Sequence, residues 1–301
     1  MNKIVTFFIL IFIAPCSGAA DISLGGQKCQ QSLNAGEFSQ AISQANAALK
    51  VLPEDRDAIL CLGRAQGGAG HHDAAVAAFQ TADKLSKSPL EHATAQMHLG
   101  NQYRSVKDFP DALGSYKQSL AMAHVEKVNR YEMIAYNLIG ETLQESGDFS
   151  GAIDAANHGL KLAANDNERA DSYAHLAAAY NAKGEHDQAI GYQLKSVVLE
   201  ERSGDLDHYA HASLQLGLIY LEAGQFSETD KVLGKLLPVV TQAGDGYWEA
   251  SIYEMQGRVR YAQGKGEEGT DLFRRAVELA RKIGAEELAK EFEEMGAKNK
   301  M

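Results

Sequence analysis

Ile139-Gly140-Glu141-Thr142-Leu143-Gln144-Glu145-Ser146-Gly147-Asp148-Phe149-Ser150-Gly151-Ala152-Ile153-Asp154-Ala155-Ala156 lies at the middle of the 301-residue chain, and its reading decides the fold. Apolar and small residues recur at steps of three and four on both sides of Gly147, the spacing of one helix face. Gly147 interrupts the pattern where a helix ends and the backbone needs a positive φ, which glycine adopts without a steric penalty. The stretch reads as two helices joined at a glycine, with Gly140 and Ala152 small enough to let them approach closely.

The same signal recurs along the chain. Its turn appears as Gly36-Glu37-Phe38, Gly70-His71-His72, Lys107-Asp108-Phe109, Gly147-Asp148-Phe149, Gly184-Glu185-His186 and Gly224-Gln225-Phe226, and decays at Gly264-Lys265-Gly266. Intervals between first members are 34, 37, 40, 37, 40 and 40 residues. Upstream of five of these turns stands a second signal: Leu62-Gly63, Leu99-Gly100, Ile139-Gly140, Leu176-Ala177 and Leu216-Gly217. No stretch shows sustained two-residue alternation, so strands are not expected. Seven helix-turn-helix units follow, and Pro110 falls in the first turn of a second helix, where a missing N–H costs nothing.

This pattern resembles the tetratricopeptide repeat family, whose 34-residue unit carries a Leu-Gly pair, a turn glycine, helix-facing alanines and a terminal proline. Pro53 stands where that proline belongs, and the longer units resemble variants seen in kinesin light chains and bacterial peptide-sensing regulators. The resemblance implies an all-α, right-handed superhelical solenoid of about seven repeats over residues 22–284. Residues 285–301 then form a capping helix and tail, because Leu288, Phe292 and Met295 share one face of an otherwise acidic segment. A partner-binding or dimerising helix is the alternative use of that segment.

In this family the first helices of successive units line a concave groove. The resemblance places Arg64, Asn101, Arg104, Asn137, Glu141, Asn181, Leu214, Leu218 and Leu221 on that face, together with Met97, Gln144, Asp171, Arg258 and Tyr261. Asparagine offers both a donor and an acceptor, so Asn101, Asn137 and Asn181 are candidates for pairing with an extended peptide backbone. Leu214, Leu218 and Leu221 form a candidate apolar seat, for a partner's side chain or for the protein's own last helices. Each of these residues has an ordinary alternative as a solvated helix position.

Composition narrows the function further. Lys plus Arg total 29 against 40 Asp plus Glu, a formal charge of −11, so no general attraction to nucleic acid is expected. Gly264-Lys265-Gly266-Glu267-Glu268-Gly269 fits a dinucleotide motif in letters only: no strand precedes it, and two glutamates would repel phosphate. His71-His72 and His208 with His211 lack companions at metal-ligand spacing, so neither a metal nor a cofactor is expected. No nucleophile set appears, and the chain reads as non-enzymatic.

Residues 2–20 carry Lys3, an apolar run and then small residues, which predicts a signal peptide over 1–19 and a mature form starting at Ala20 or Asp21. The run is too short for a membrane span, although Ile13-Ala14-Pro15-Cys16 also resembles a lipoprotein box in which Cys16 would be lipidated. The mature protein is expected in the periplasm or outside the cell, binding a protein or peptide in bacterial envelope assembly, with a peptide-sensing regulatory module as the alternative. Cleavage leaves Cys29 and Cys61. Cys29 occupies the small-residue place that Gly63 holds in the next unit, whereas Cys61 lies on a different side of its helix, a placement that argues against a bridge.

Overall fold

The structure is a computed structural model that describes residues 24–299; the expected signal peptide and Cys16 lie outside the described residues. Those residues form α-helices and no strand. Seven helical hairpins follow one another: α1 (Leu24–Asn34) with α2 (Phe38–Val51), α3 (Arg56–Gly68) with α4 (His72–Lys84), α5 (Pro89–Ser105) with α6 (Phe109–Val125), α7 (Asn129–Ser146) with α8 (Phe149–Leu162), α9 (Asp166–Ala182) with α10 (His186–Ser203), α11 (Leu206–Glu222) with α12 (Phe226–Ala243), and α13 (Gly246–Ala262) with α14 (Gly266–Lys282). A single helix, α15 (Glu286–Asn299), comes last.

Local chemistry sets the helix ends. Gly147 takes φ +91° after α7, and Asp148 then caps α8 by accepting from the Gly151 N–H at 2.9 Å. In the third hairpin Lys107 does the same job at φ +63°, a conformation that costs an L-residue roughly 1–2 kcal/mol. Asp55, Asn165, Asp205 and Asp245 cap α3, α9, α11 and α13 in the same way, each satisfying an otherwise orphaned N–H. Pro110 occupies the first turn of α6, where its missing donor is harmless.

Packing divides the chain into two compact units, with the boundary between Gln102 and Tyr103 inside α5. In the first unit Gly63 faces the ring of Phe79: a Cβ at Gly63 would stand 2.5 Å from it. The small residue therefore makes room for an aromatic ring as well as for a neighbouring helix backbone. Cys29 and Cys61 are buried and form a disulfide, with Cα atoms 6.2 Å apart. This corrects the sequence reading, which argued against a bridge because the two cysteines fall on different sides of their helices. The bond instead runs between α1 and α3, the first helices of successive hairpins, and those helices pack side by side.

In the second unit the core is richer in large side chains. Leu233, Leu236, Val240 and Ile252 are fully buried between α12 and its neighbours, each burial contributing about 1.5–3 kcal/mol relative to exposure. Gly140 lies 3.4 Å, measured from an ideal Cβ, from the Ala152 carbonyl oxygen, so α7 and α8 meet closely there. Ala289 and Phe292 of α15 are buried against Ala276, Val277 and Ala280 of α14. The amphipathic last helix thus covers the end of the final hairpin.

Candidate functional site

Within the second unit, α7 packs against α9 and α11 against α13, while the second helices of successive hairpins make no comparable contact. Elements that touch lie on the inside of a bend, so the first helices provide the inner face. Side chains also link α9 to α11 on this face.

Arg104 is engaged by two carboxylates on this face. Its Nη1 donates to Glu141, and its Nη2 donates to Glu145 Oε1 at 2.7 Å. Burial works against the guanidinium charge, yet the Glu145 hydrogen bond and the charges of Glu141 and Glu145 hold its pKa above the ordinary arginine range. Asn181 links α9 to α11 by donating from Nδ2 to Glu222 Oε2 at 2.6 Å, and its Oδ1 lies 2.8 Å from His186 Nδ1. In the first unit Asn101 is exposed on α5, and Arg64 donates to Gln30 Oε1 at 2.6 Å.

Two expected groove residues are placed differently. Asn137 is buried, with its Oδ1 2.7 Å from where a Gly159 Cβ would stand, so it turns toward α8 through a gap that only a glycine leaves. Leu214 is buried in a cluster with Leu233, Leu236, Ile252 and Met255, where it holds α11 to α12 and α13. Leu218 and Leu221 are half-buried at the edge of that cluster and keep an open side. The apolar seat is thereby reduced to two leucines, because the helix pair α11 and α13 draws the third inward.

Position along a first helix could not reveal the charged residues that flank α9 on both sides. Glu200 reaches in from the second helix α10, is buried, and has its Oε2 3.6 Å from His208 Nδ1 with no hydrogen-bond donor. Burial pushes its pKa up, against the pull of His208 and with the help of Asp171 and Asp205. Asp171 is exposed on α9 yet crowded by protein, which raises its carboxyl although His175 and His208 pull it down. Glu141 Oε1, buried and likewise without a donor, lies 3.7 Å from His175 Nδ1. Among the described residues no group of three His, Cys, Asp or Glu is arranged to hold a metal ion, and no helix is long and apolar enough to cross a membrane.

Comparison with known proteins bears on the whole arrangement. Residues 91–165 match the family model of the tetratricopeptide repeat, and no curated protein sequence matches the chain. A tetratricopeptide repeat protein from Parabacteroides merdae is 16% identical, with a TM-score of 0.61 over 91% of this chain and 97% of its own. The apo form of RapI is 11% identical, with a TM-score of 0.58 over 80% and 96%. Kinesin light chain TPR-like repeats from Podosopora anserina are 16% identical, with a TM-score of 0.56 over 66% and 99%. Residues 91–165 thus carry tetratricopeptide repeats, and the helical hairpins on either side share the tetratricopeptide-repeat fold.

Proposed function

We propose that this protein is an exported, non-enzymatic adaptor that binds a protein segment along the inner helix face of its repeats, in assembly of a bacterial envelope. The tetratricopeptide fold is a protein interaction module, so binding of a protein partner follows from the fold itself. The finer reading is carried by one observation. On the inner face of α9 and α11, Leu218 and Leu221 keep an open side beside the core cluster they pack against, and Ala178 and Glu222 are exposed. Export is supported by the composition of residues 2–20 and by the Cys29–Cys61 bridge, which persists in oxidising compartments and rarely in the cytosol.

Photo-cross-linking in envelope extract tests the binding face. A benzoylphenylalanine at Ala178, exposed on α9, is expected to capture a discrete partner, while the same group at Lys117, exposed on α6, is not. Capture from Lys117 alone overturns the inner-face reading. Intact-mass analysis of the protein from its own cell tests export, with a chain beginning at Ala20 or Asp21 expected and retention of residues 1–19 the opposing result.

A further inference from the structure

We propose that the fifth hairpin is held to its neighbours by an acid-tightened clasp: as pH falls from about 8 to about 6, protonation around His175 and His208 fastens α9 to α7 and α11 to α10, and as pH rises the same contacts loosen. The clasp regulates the repeat array and does not depend on which face binds a partner.

Placement is the first argument. In four pairs a histidine faces a carboxylate, and each of the four joins helices of different hairpins. His92 Nδ1 of α5 lies 2.9 Å from Asp83 Oδ1 of α4, and His124 Nδ1 of α6 lies 3.3 Å from both carboxylate oxygens of Glu132 on α7. His175 of α9 faces Glu141 of α7 at 3.7 Å, and His208 of α11 faces Glu200 of α10 at 3.6 Å. In the turns inside two hairpins histidines face amides instead: His71 Nδ1 lies 2.6 Å from Gln66 Oε1, and His186 Nδ1 lies 2.8 Å from Asn181 Oδ1. Imidazole is the side chain that changes charge between pH 5 and 8, so in the four pairs its titration acts on contacts between hairpins.

Charge balance is the second. His175 and His208 stand in one group with Glu141 of α7, Asp171 of α9 and Glu200 of α10, and Asp171 feels both rings. Glu168 and Asp205 add negative charge at its edge, pushing up the carboxyls of Asp171 and Glu200 respectively. Arg104 answers Glu141 but is shared with Glu145. With neutral rings the group carries an excess of negative charge, and Glu141 Oε1 and Glu200 Oε2 accept from no donor. A proton relieves that excess wherever it lands, on an imidazole or on a carboxyl, so the sign of the response does not depend on the atom that takes it up. Burial raises the carboxyls of Asp171 and Glu200, and their contribution has the same sign: it is full at low pH and is lost as pH rises through the folded-state value. His211 opposes the trend. Burial and the charge of His208 hold its pKa down, so its contribution is lost as pH falls.

Access is the third. Glu200 is 5% exposed, whereas His208 is open to solvent. A carboxylate held in place and a ring that protons reach freely make a contact that pH can set without unfolding either helix.

Hydrogen exchange of the full chain at pH 6 and pH 8, corrected for intrinsic rates, tests the idea. The first hairpin contains no histidine and serves as the internal reference. Relative to it, residues 166–222 are expected to open about threefold to tenfold less often at pH 6 than at pH 8. His175→Gln combined with His208→Gln is expected to flatten that ratio by lowering protection at pH 6 while leaving it unchanged at pH 8. Asp171→Asn combined with Glu200→Gln is expected to flatten it from the other side, raising protection at pH 8 to the level seen at pH 6. A purely structural role for these side chains would instead lower protection at both pH values alike. If a double variant does not fold, His208→Gln or Asp171→Asn alone, both at exposed positions, is expected to give a smaller change of the same sign. A ratio that is absent or inverted in the unaltered chain, one that survives the folded variants, or equal loss of protection at both pH values overturns the clasp.

Discussion

The first unit fastens neighbouring hairpins with a covalent bond between α1 and α3, whereas the second holds its hairpins with buried leucine, isoleucine and valine around α12. Their buried titratable groups are also shifted in opposite directions. In the first, His98 stacks on Phe79, and burial together with the charges of Arg64 and Arg56 pushes its pKa down to about 3. In the second, burial raises the carboxyls of Asp171, Glu200 and Glu254. Arg64, Glu141 and Leu218 each directly follow the small residue of their first helix, Gly63, Gly140 and Gly217. The comparison teaches that turns and small residues specify the hairpin, while the next position along is free to be cationic, anionic or apolar.

Reducing the Cys29–Cys61 bridge is the strongest way to break this comparison. The bond closes a loop of 32 residues in sequence separation, and removing it is expected to cost the first unit about 3–4 kcal/mol. Hydrogen exchange of Cys61→Ser should show lost protection in residues 24–102, with residues 103–299 much less affected. Uniform loss across both would mean that the units do not differ in what holds them.

Glu254 sharpens the electrostatic side. Burial pushes its carboxyl up from 4.5 to about 7, against the pull of Arg258 and with a push from Glu291. A raised carboxyl pKa means that the folded state holds the proton more tightly than the unfolded one. The associated stability is therefore full below pH 4.5 and is lost as pH rises to about 7. The loss should amount to about 2–3 kcal/mol. Denaturant titrations at several pH values should show this slope, and Glu254→Gln should flatten it; an unchanged slope would remove Glu254 as its origin.

Lys107 gives the smallest effect. Replacing this left-handed lysine with glycine should stabilise the third hairpin by about 1 kcal/mol, the relief of backbone strain less the extra freedom of glycine in the unfolded chain. A rise in melting temperature checks it, and a fall would show that the lysine side chain earns more than its backbone costs.

The hairpins were legible because each is specified locally. Gly147, Asp148 and Gly140 mark a turn, a cap and a close approach within a few residues of one another. Relations between hairpins were not legible in the same way. Cys61 reaches α1 across a repeat boundary, Asn137 turns into a gap that Gly159 opens on α8, and Glu200 of a second helix meets His208 of the next hairpin. A repeat alignment reports what is common to the units, whereas these placements depend on which residues differ from one unit to the next. Leu214 shows the same limit, since only the approach of α13 decides whether that leucine is surface or core.

Hairpins that touch along their first helices, and not along their second, behave as leaves bound at one edge. Small rotations about that edge open or close the free side while leaving the hydrogen bonds inside each helix intact. In the second unit Asn181 and Glu222 tie α9 to α11 along that edge by a side-chain hydrogen bond. Where side chains make the tie, a single substitution changes the angle between two leaves without touching either helix.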